Sequence, residues 1–122
     1  MNKEFKLIVA GGRDFSDREL MDRQIRNTIA ELPDGNVVSI VSGMAKGADS
    51  LAVQWAQIHQ CKLYKHYADW TTHGKRAGYL RNQEMCDVAD GLLAFWDGIS
   101  KGTNHMITIA RNKGIYVKVV RY

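Results

Sequence analysis

Proline is nearly missing from this 122-residue chain, Pro33 being the single one, and no low-complexity tract interrupts it. With 45% hydrophobic residues, that excludes a disordered or polyproline-like chain and points to one domain spanning residues 1–122. A domain of this length buries roughly two thirds of its unfolded surface, so neither a disulfide nor a metal is needed to hold it together. Cysteine is equally scarce. Cys61 and Cys86 lie far apart and form no C-x-x-C, and His59 near Cys61 lacks further partners at zinc-like spacing. A disulfide scaffold and a structural zinc are thereby excluded, and two reduced thiols fit a cytoplasmic protein. No apolar run approaches the roughly 18 residues of a membrane span, and the short run near the N-terminus is too brief for a secretory signal. A membrane is therefore not an expected partner. Acid is in modest deficit, with 13 Asp and Glu against 17 Lys and Arg. The net charge of +4 suits a phosphate-bearing partner without naming one.

What is present is an alternation of short β-rich runs with longer helical ones, the pattern of a parallel sheet wrapped by helices. Strands are expected at residues 6–10, 37–41, 62–66, 92–96 and 116–120. A first helix is expected over residues 17–32, with Leu20, Met21, Ile25 and Ile29 on one stripe and Ser16 with Glu19 as a capping box. Pro33, Asp34 and Gly35 end it as a turn. Further helices are expected at residues 49–60, 80–89 and 103–113, the last closed by Gly114. The expected fold is α/β, a doubly wound three-layer sandwich around a mostly parallel sheet of about five strands.

In such a fold ligands sit at the carboxyl ends of the strands, and here the loops after strands are rich in Gly, Asp, Ser, Thr and Arg. Gly11 and Gly12 let backbone N–H groups approach an anion, while Arg13 and Asp14 add charge that a tight turn alone does not require. The third glycine of a dinucleotide fingerprint is absent and no acidic residue closes the second strand, which disfavours an NAD site. The next loop runs from Ser42 and Gly43 through Met44, Ala45, Lys46 and Gly47 to Ala48 and Asp49. It lacks the Gly-Lys-Ser/Thr ending of a Walker site, but its N–H groups and the Ser42 hydroxyl can face an anion at the mouth of the second helix. Asp49 reads either as an N-cap or as a contact to sugar hydroxyls.

From Trp70 to Asn82 the chain gathers His73, Lys75, Arg76 and Arg81 with Trp70 and Tyr79 in a glycine-punctuated loop. An aromatic face for a base and guanidinium forks for phosphate explain that mixture, and the blander alternative is a solvated basic loop with Trp70 buried at its root. Arg81 falls at the start of a helix, where a cation gains nothing from the dipole. After the fourth strand come Asp97 and Ser100, then Gly102 and Thr103, where Thr103 caps the last helix or bonds an anion at its N-terminus. Asp87, Asp90 and Asp97 have no partner at the spacing of an acid–base pair, and His73 and His105 stand alone, so catalytic residues stay unassigned.

These loops resemble the YspA-type, cpYpsA-related branch of the SLOG superfamily, named for the Smf/DprA and LOG proteins. The resemblance is carried by Gly11-Gly12-Arg13-Asp14-Phe15, by the run from Ser42 to Asp49, and by Ala68-Asp69-Trp70. It continues through Gly78-Tyr79-Leu80-Arg81-Asn82-Gln83-Glu84-Met85 and Phe95-Trp96-Asp97-Gly98-Ile99-Ser100-Lys101-Gly102-Thr103. It implies a Rossmann-like domain, of bacterial or phage type, that binds nucleotides or nucleotide-derived signals without a cofactor. Superfamily members act as ligand sensors, often in conflict or defence systems, or as enzymes on nucleotide-linked sugars. The resemblance further implies that Arg81 contacts phosphate or sugar and that Gly102-Thr103 binds phosphate. LOG enzymes cleave an N-glycosidic bond with an arginine and a glutamate, and here Asn104, His105 and Met106 stand where that glutamate would follow. The missing carboxylate favours binding over hydrolysis.

The expected function is therefore binding or sensing of a nucleotide or nucleotide-derived small molecule. Gly11, Gly12, Gly43, Gly47, Ser42, Gly102 and Thr103 would hold phosphate and Arg13 and Arg81 would clamp it. Asp14 or Asp49 would meet sugar hydroxyls, with Trp70, Asn82, Asp97 and Ser100 completing the site. A phosphoribohydrolase using a relocated carboxylate is the alternative. Single-stranded nucleic-acid binding comes third, from the +4 charge and the Smf/DprA-like loop at Ser42 to Asp49. A homodimer is the assembly the superfamily suggests.

Overall fold

Side chains alternate between two apolar layers along the central strand. The computed structural model describes residues 3–122. Its first strand, β1 (Lys3–Gly11), sends Leu7 and Val9 to one layer and Ile8 and Ala10 to the other. Four more strands complete one parallel sheet: β2 (Asn36–Ser42), β3 (Leu63–Lys65), β4 (Gly91–Trp96) and β5 (Tyr116–Arg121). Their order is β3-β2-β1-β4-β5. On one face α1 (Arg18–Glu31) and α2 (Ala48–Ile58) pack Met21, Ile25, Ala52 and Trp55 against Leu7, Ile40, Leu93 and Phe95. A short α3 (Trp70–His73) and a 3-10 turn (Gly74–Arg76) lead into α4 (Ala77–Val88). With α5 (Lys101–Lys113), α4 covers the other face, burying Met85, Cys86, Met106 and Ala110 against Ile8, Val41, Leu92 and Ala94. This is the α/β three-layer, Rossmann-like sandwich that the pattern of runs predicts. Among the described residues, no helix is long and apolar enough to cross a membrane.

Several local expectations are corrected. The α1 cap is Asp17, whose carboxylate accepts the Leu20 N–H at 2.9 Å, and not a Ser16–Glu19 box. The strand expected at 62–66 shortens to three residues at the sheet edge. The segment from Trp70 to Asn82 is not a loop: it is helical, and α4 begins three residues before the expected start. Gly78 lies within it, the Trp70 ring 3.4 Å from where a Cβ would sit. Thr103 does not cap α5. Ser100 is the N-cap residue without a side-chain bond, and the Asp97 carboxylate accepts the Ile99 and Ser100 N–H groups at 2.8 Å each. Gly114 closes α5 in the left-handed conformation, φ 81°, as expected.

Candidate functional site

Strand order reverses between β1 and β4, so the connections after these strands leave in opposite directions and open a crevice between them. A cleft of about 480 Å³ lies there, within the range of small-ligand sites. One wall is the β1–α1 turn, with Gly11, Gly12, Arg13 and Asp14. The opposite wall is Asp97, Ser100, Gly102 and Thr103 at the start of α5. Trp70, Lys75, Gly78, Tyr79, Arg81 and Asn82 close the third side, over a floor of Ala10, Met85 and Met106.

Gly11 is required by close packing, since a Cβ there would strike the Phe95 carbonyl and the Ala48 Cβ. A Cβ at Gly12 would meet the Tyr122 hydroxyl and displace it. The Gly12 carbonyl accepts the Phe15 and Ala48 N–H groups, both at 3.2 Å, which ties the turn to the head of α2. Arg13 and Asp14 are exposed on the turn, and the Tyr122 phenol donates to Asp14 Oδ1 at 2.6 Å. Burial and this bond push the Tyr122 phenol well above its ordinary value, so it stays protonated as the donor.

Across the cleft the first turn of α5 carries the free amide end of the helix, the N–H groups of Lys101, Gly102 and Thr103. Thr103 is buried, its hydroxyl 3.3 Å from that of Ser100. The turn is braced from behind. Trp96 Nε1 donates to the Ser100 carbonyl at 3.1 Å, and the Arg121 guanidinium lies over the Trp96 ring, 5.3 Å from its centroid. The Asp97 carboxylate is committed to the backbone. The Ser100 N–H and the Ile99 N–H hold it below the usual carboxylate range, which makes it a fixed brace of the turn between β4 and α5 rather than a proton donor.

Arg81 lies in the second turn of α4, not at its start, and reaches the other loop. Its Nη1 donates to the Gly43 carbonyl at 2.7 Å and its Nε to Asn82 Oδ1 at 3.3 Å. Asn82, buried, passes the contact on: its Nδ2 lies 3.2 Å from the Gly102 carbonyl and 3.1 Å from His105 Nδ1. His105 stacks edge-on to Tyr79 at 4.6 Å, and burial lowers its pKa, so it is a neutral partner for the amide. Asp49 is 5% exposed on the cleft floor beside Arg81, accepting the Ala45 N–H at 3.2 Å. Burial pushes its carboxyl up to about 6, against the opposing pull of the Ala45 N–H, Arg81 and Arg13. Arg81 itself is shifted down, by burial first.

Ser42, Gly43 and Gly47 stand behind the cleft rather than in its lining. The loop turns its polar groups on itself. Met44 N–H goes to Ser42 Oγ, Ala45 N–H to Asp49, and Ala48 N–H to the Gly12 carbonyl. Gly47, at φ 77°, is pressed on the Gly12 and Arg13 backbone where no Cβ fits. Three of the N–H groups expected to face an anion, those of Met44, Ala45 and Ala48, are therefore spent inside the protein. Asp49 is not the N-cap, a place held by Gly47, but sits in the first turn of α2. Trp70 is half exposed on the cleft rim and not buried at a root. Among the lining residues that sequence reasoning left out are Lys75, Tyr79, Met85 and Met106. The first two stood inside the basic aromatic run, while the methionines gave no signal beyond helical spacing. Among the described residues no three His, Cys, Asp or Glu side chains gather closely enough to ligate a metal ion.

Comparison with known proteins bears on this arrangement. Residues 5–73 match the sequence model of YAcAr, the YspA, cpYpsA-related SLOG family. The chain is also similar to the Gene 61 protein of Mycobacterium phage D29, 38% identical over 118 residues, which covers 92% of this chain and 93% of the phage protein. No solved structure matches.

Proposed function

Because this chain belongs to the YspA, cpYpsA-related SLOG family, we propose that its cleft binds a nucleotide or nucleotide-derived small molecule and serves as a ligand-sensing domain. The observation that carries the proposal is the opposition of Arg13 and Arg81 to the free amide end of α5 across one crevice. Two guanidinium groups and a helix N-terminus converging on one volume suit a phosphate, each being a charge-assisted or dipolar donor. Trp70 and Tyr79 offer ring faces beside it for a base, and Asp14 offers a carboxylate for sugar hydroxyls. Asn82 is a positioning residue, holding Arg81 and the α5 turn at a fixed separation.

The test is a thermal-shift panel of mononucleotides, ADP-ribose-like compounds and cyclic nucleotides, with chromatography of the same wells. A ligand that binds only the folded state raises the melting temperature, so a shift with intact ligand supports sensing. No shift with any phosphate-bearing member ends the reading. Asp49 favours a second reading, hydrolysis of an N-glycosidic bond, because a buried carboxyl poised near 6 beside Arg81 is suited to proton transfer. There the base–sugar bond breaks, water supplies hydroxyl to the sugar carbon, and its proton goes to the leaving base. Free base in the wells selects that reading, and its absence on long incubation removes it for the compounds tried.

A further inference from the structure

Charge is not spread evenly along this chain. Residues 62–81 hold five Lys and Arg and a single acid, Asp69, whereas the remaining residues hold 12 of each sign. The whole net charge of +4 thus resides in 20 residues. The same segment carries three exposed aromatic side chains: Tyr67 is 66% exposed, Trp70 50% and Tyr79 46%. Lys65, Lys75 and Arg76 are exposed among them. The one acid is already occupied, since Asp69 caps α3 by accepting the Thr72 N–H at 3.1 Å. Arg81 turns inward to Gly43, so the outward cations are those on the strap from β3 to α4 and Lys62 beside it.

We propose that this strap is a docking surface for a single-stranded nucleic acid. Cations spaced among exposed rings give a strand the two contacts it needs, neutralised phosphates and stacked bases, without reading sequence. Tyr67 and the outward parts of the Trp70 and Tyr79 rings otherwise leave apolar area in water. A duplex, whose bases are already stacked on each other, gains only the electrostatic half. The strap extends past the cleft: Lys65, Tyr67 and Arg76 lie outside its lining, whereas Trp70, Lys75 and Tyr79 are shared with it.

The test is fluorescence polarisation of the intact protein with labelled thymidine and uridine oligonucleotides and a duplex control, over a range of salt. The expected result is preference for single strands and a slope of log affinity against log salt of about −2 to −3, as three or four phosphate contacts require. Thymidine against uridine distinguishes DNA from RNA as the source. Tyr67→Ala is expected to weaken binding roughly 5- to 100-fold, the effect of losing one stacked base. Arg76→Glu is expected to flatten the salt slope, while Arg111→Glu, an equal charge change at the far end of α5, leaves it alone. The proposal is overturned by no oligonucleotide binding at low salt, by equal binding of duplex, or by equal damage from Arg76→Glu and Arg111→Glu. Unchanged affinity in Tyr67→Ala and Arg76→Glu with loss in Trp70→Ala also overturns it, since the strand then enters the cleft by its end.

Discussion

Arg81 Nη1 donates to the Gly43 carbonyl at 2.7 Å, joining α4 to the turn after β2. The guanidinium and the Asp49 carboxylate lie on either side of Gly43. A Cβ at this glycine would stand 2.9 Å from Asp49 Oδ2, 2.9 Å from Arg81 Cδ and 3.0 Å from Arg81 Cζ. Gly43 is thus the gap that lets a cation approach a buried acid without closing on it. Gly43→Ala is expected to push Arg81 out of place, weakening ligand binding at least about tenfold and lowering stability by about 1–3 kcal/mol, the range for overpacking. Calorimetry with the ligand found by thermal shift, and urea unfolding, check the two effects. Wild-type affinity in this variant would remove Arg81 from the clamp.

The Asp49 carboxyl, pushed up to about 6 by burial, makes a signed prediction about pH. Its folded pKa exceeds the ordinary 3.8, so the folded state holds the proton more tightly than the unfolded chain. The contribution is fully present below about pH 4 and is lost as pH rises through about 6, a change of roughly 3 kcal/mol at 1.36 kcal/mol per pH unit. Asp49→Asn keeps an acceptor for Ala45 and abolishes the titration. The difference in unfolding free energy between the two proteins should therefore move in favour of the variant from pH 4 to pH 7. A constant difference would mean that Asp49 is ionised in the folded protein well below pH 6.

Asn82 links three groups around the cleft: Arg81 Nε, the Gly102 carbonyl and His105 Nδ1. Asn82→Ala leaves these groups without their partner at a buried place, and a loss of about 1–3 kcal/mol is expected in urea unfolding. Ligand affinity should fall with it, by roughly tenfold. Asn82→Gln, with the same amide on a longer stem, should recover only part of the lost stability. An alanine variant of unchanged affinity would show that the α5 turn keeps its place without α4.

Much of this was legible in sequence because the signal was local. Lys6 to Ala10 is a short apolar β-rich run and Met21 with Ile25 sits at helical spacing, so strands and helices could be read directly, whereas the split of Leu7 and Val9 from Ile8 and Ala10 into two layers comes only with the sheet. Arg81 and Gly102-Thr103 likewise stood out by residue type and order. What could not be read depended on partners distant in sequence. Gly78 looks like punctuation but lies inside α4 with the Trp70 ring against it, and the Ser42-to-Asp49 loop looks like an anion cradle until Gly12 is seen to take the Ala48 N–H. The start of α5 differs for a shorter-range reason: Asp97 reaches forward to Ile99 and Ser100 and fixes the turn before the helix, so Thr103, the expected cap, already lies inside it.

Tyr122 reaches the cleft from the end of β5, where its ring packs edge-on to Phe15 at 5.0 Å and its phenol fixes Asp14 Oδ1. The bond engages one carboxylate oxygen and leaves the other for a ligand hydroxyl. Tyr122→Phe keeps the ring and removes only the donor, so stability should change by about 1 kcal/mol or less. Ligand affinity should drop roughly 2- to 10-fold, the worth of one hydrogen bond that orients an acceptor. A deoxy analogue of the ligand separates orientation from a general effect. If Asp14 meets a sugar hydroxyl, removing that hydroxyl weakens binding in the native protein and much less in Tyr122→Phe, because the two losses act on one contact. Equal and additive losses would place the sugar away from Asp14, and the carboxylate would then be a strut for the β1–α1 turn alone.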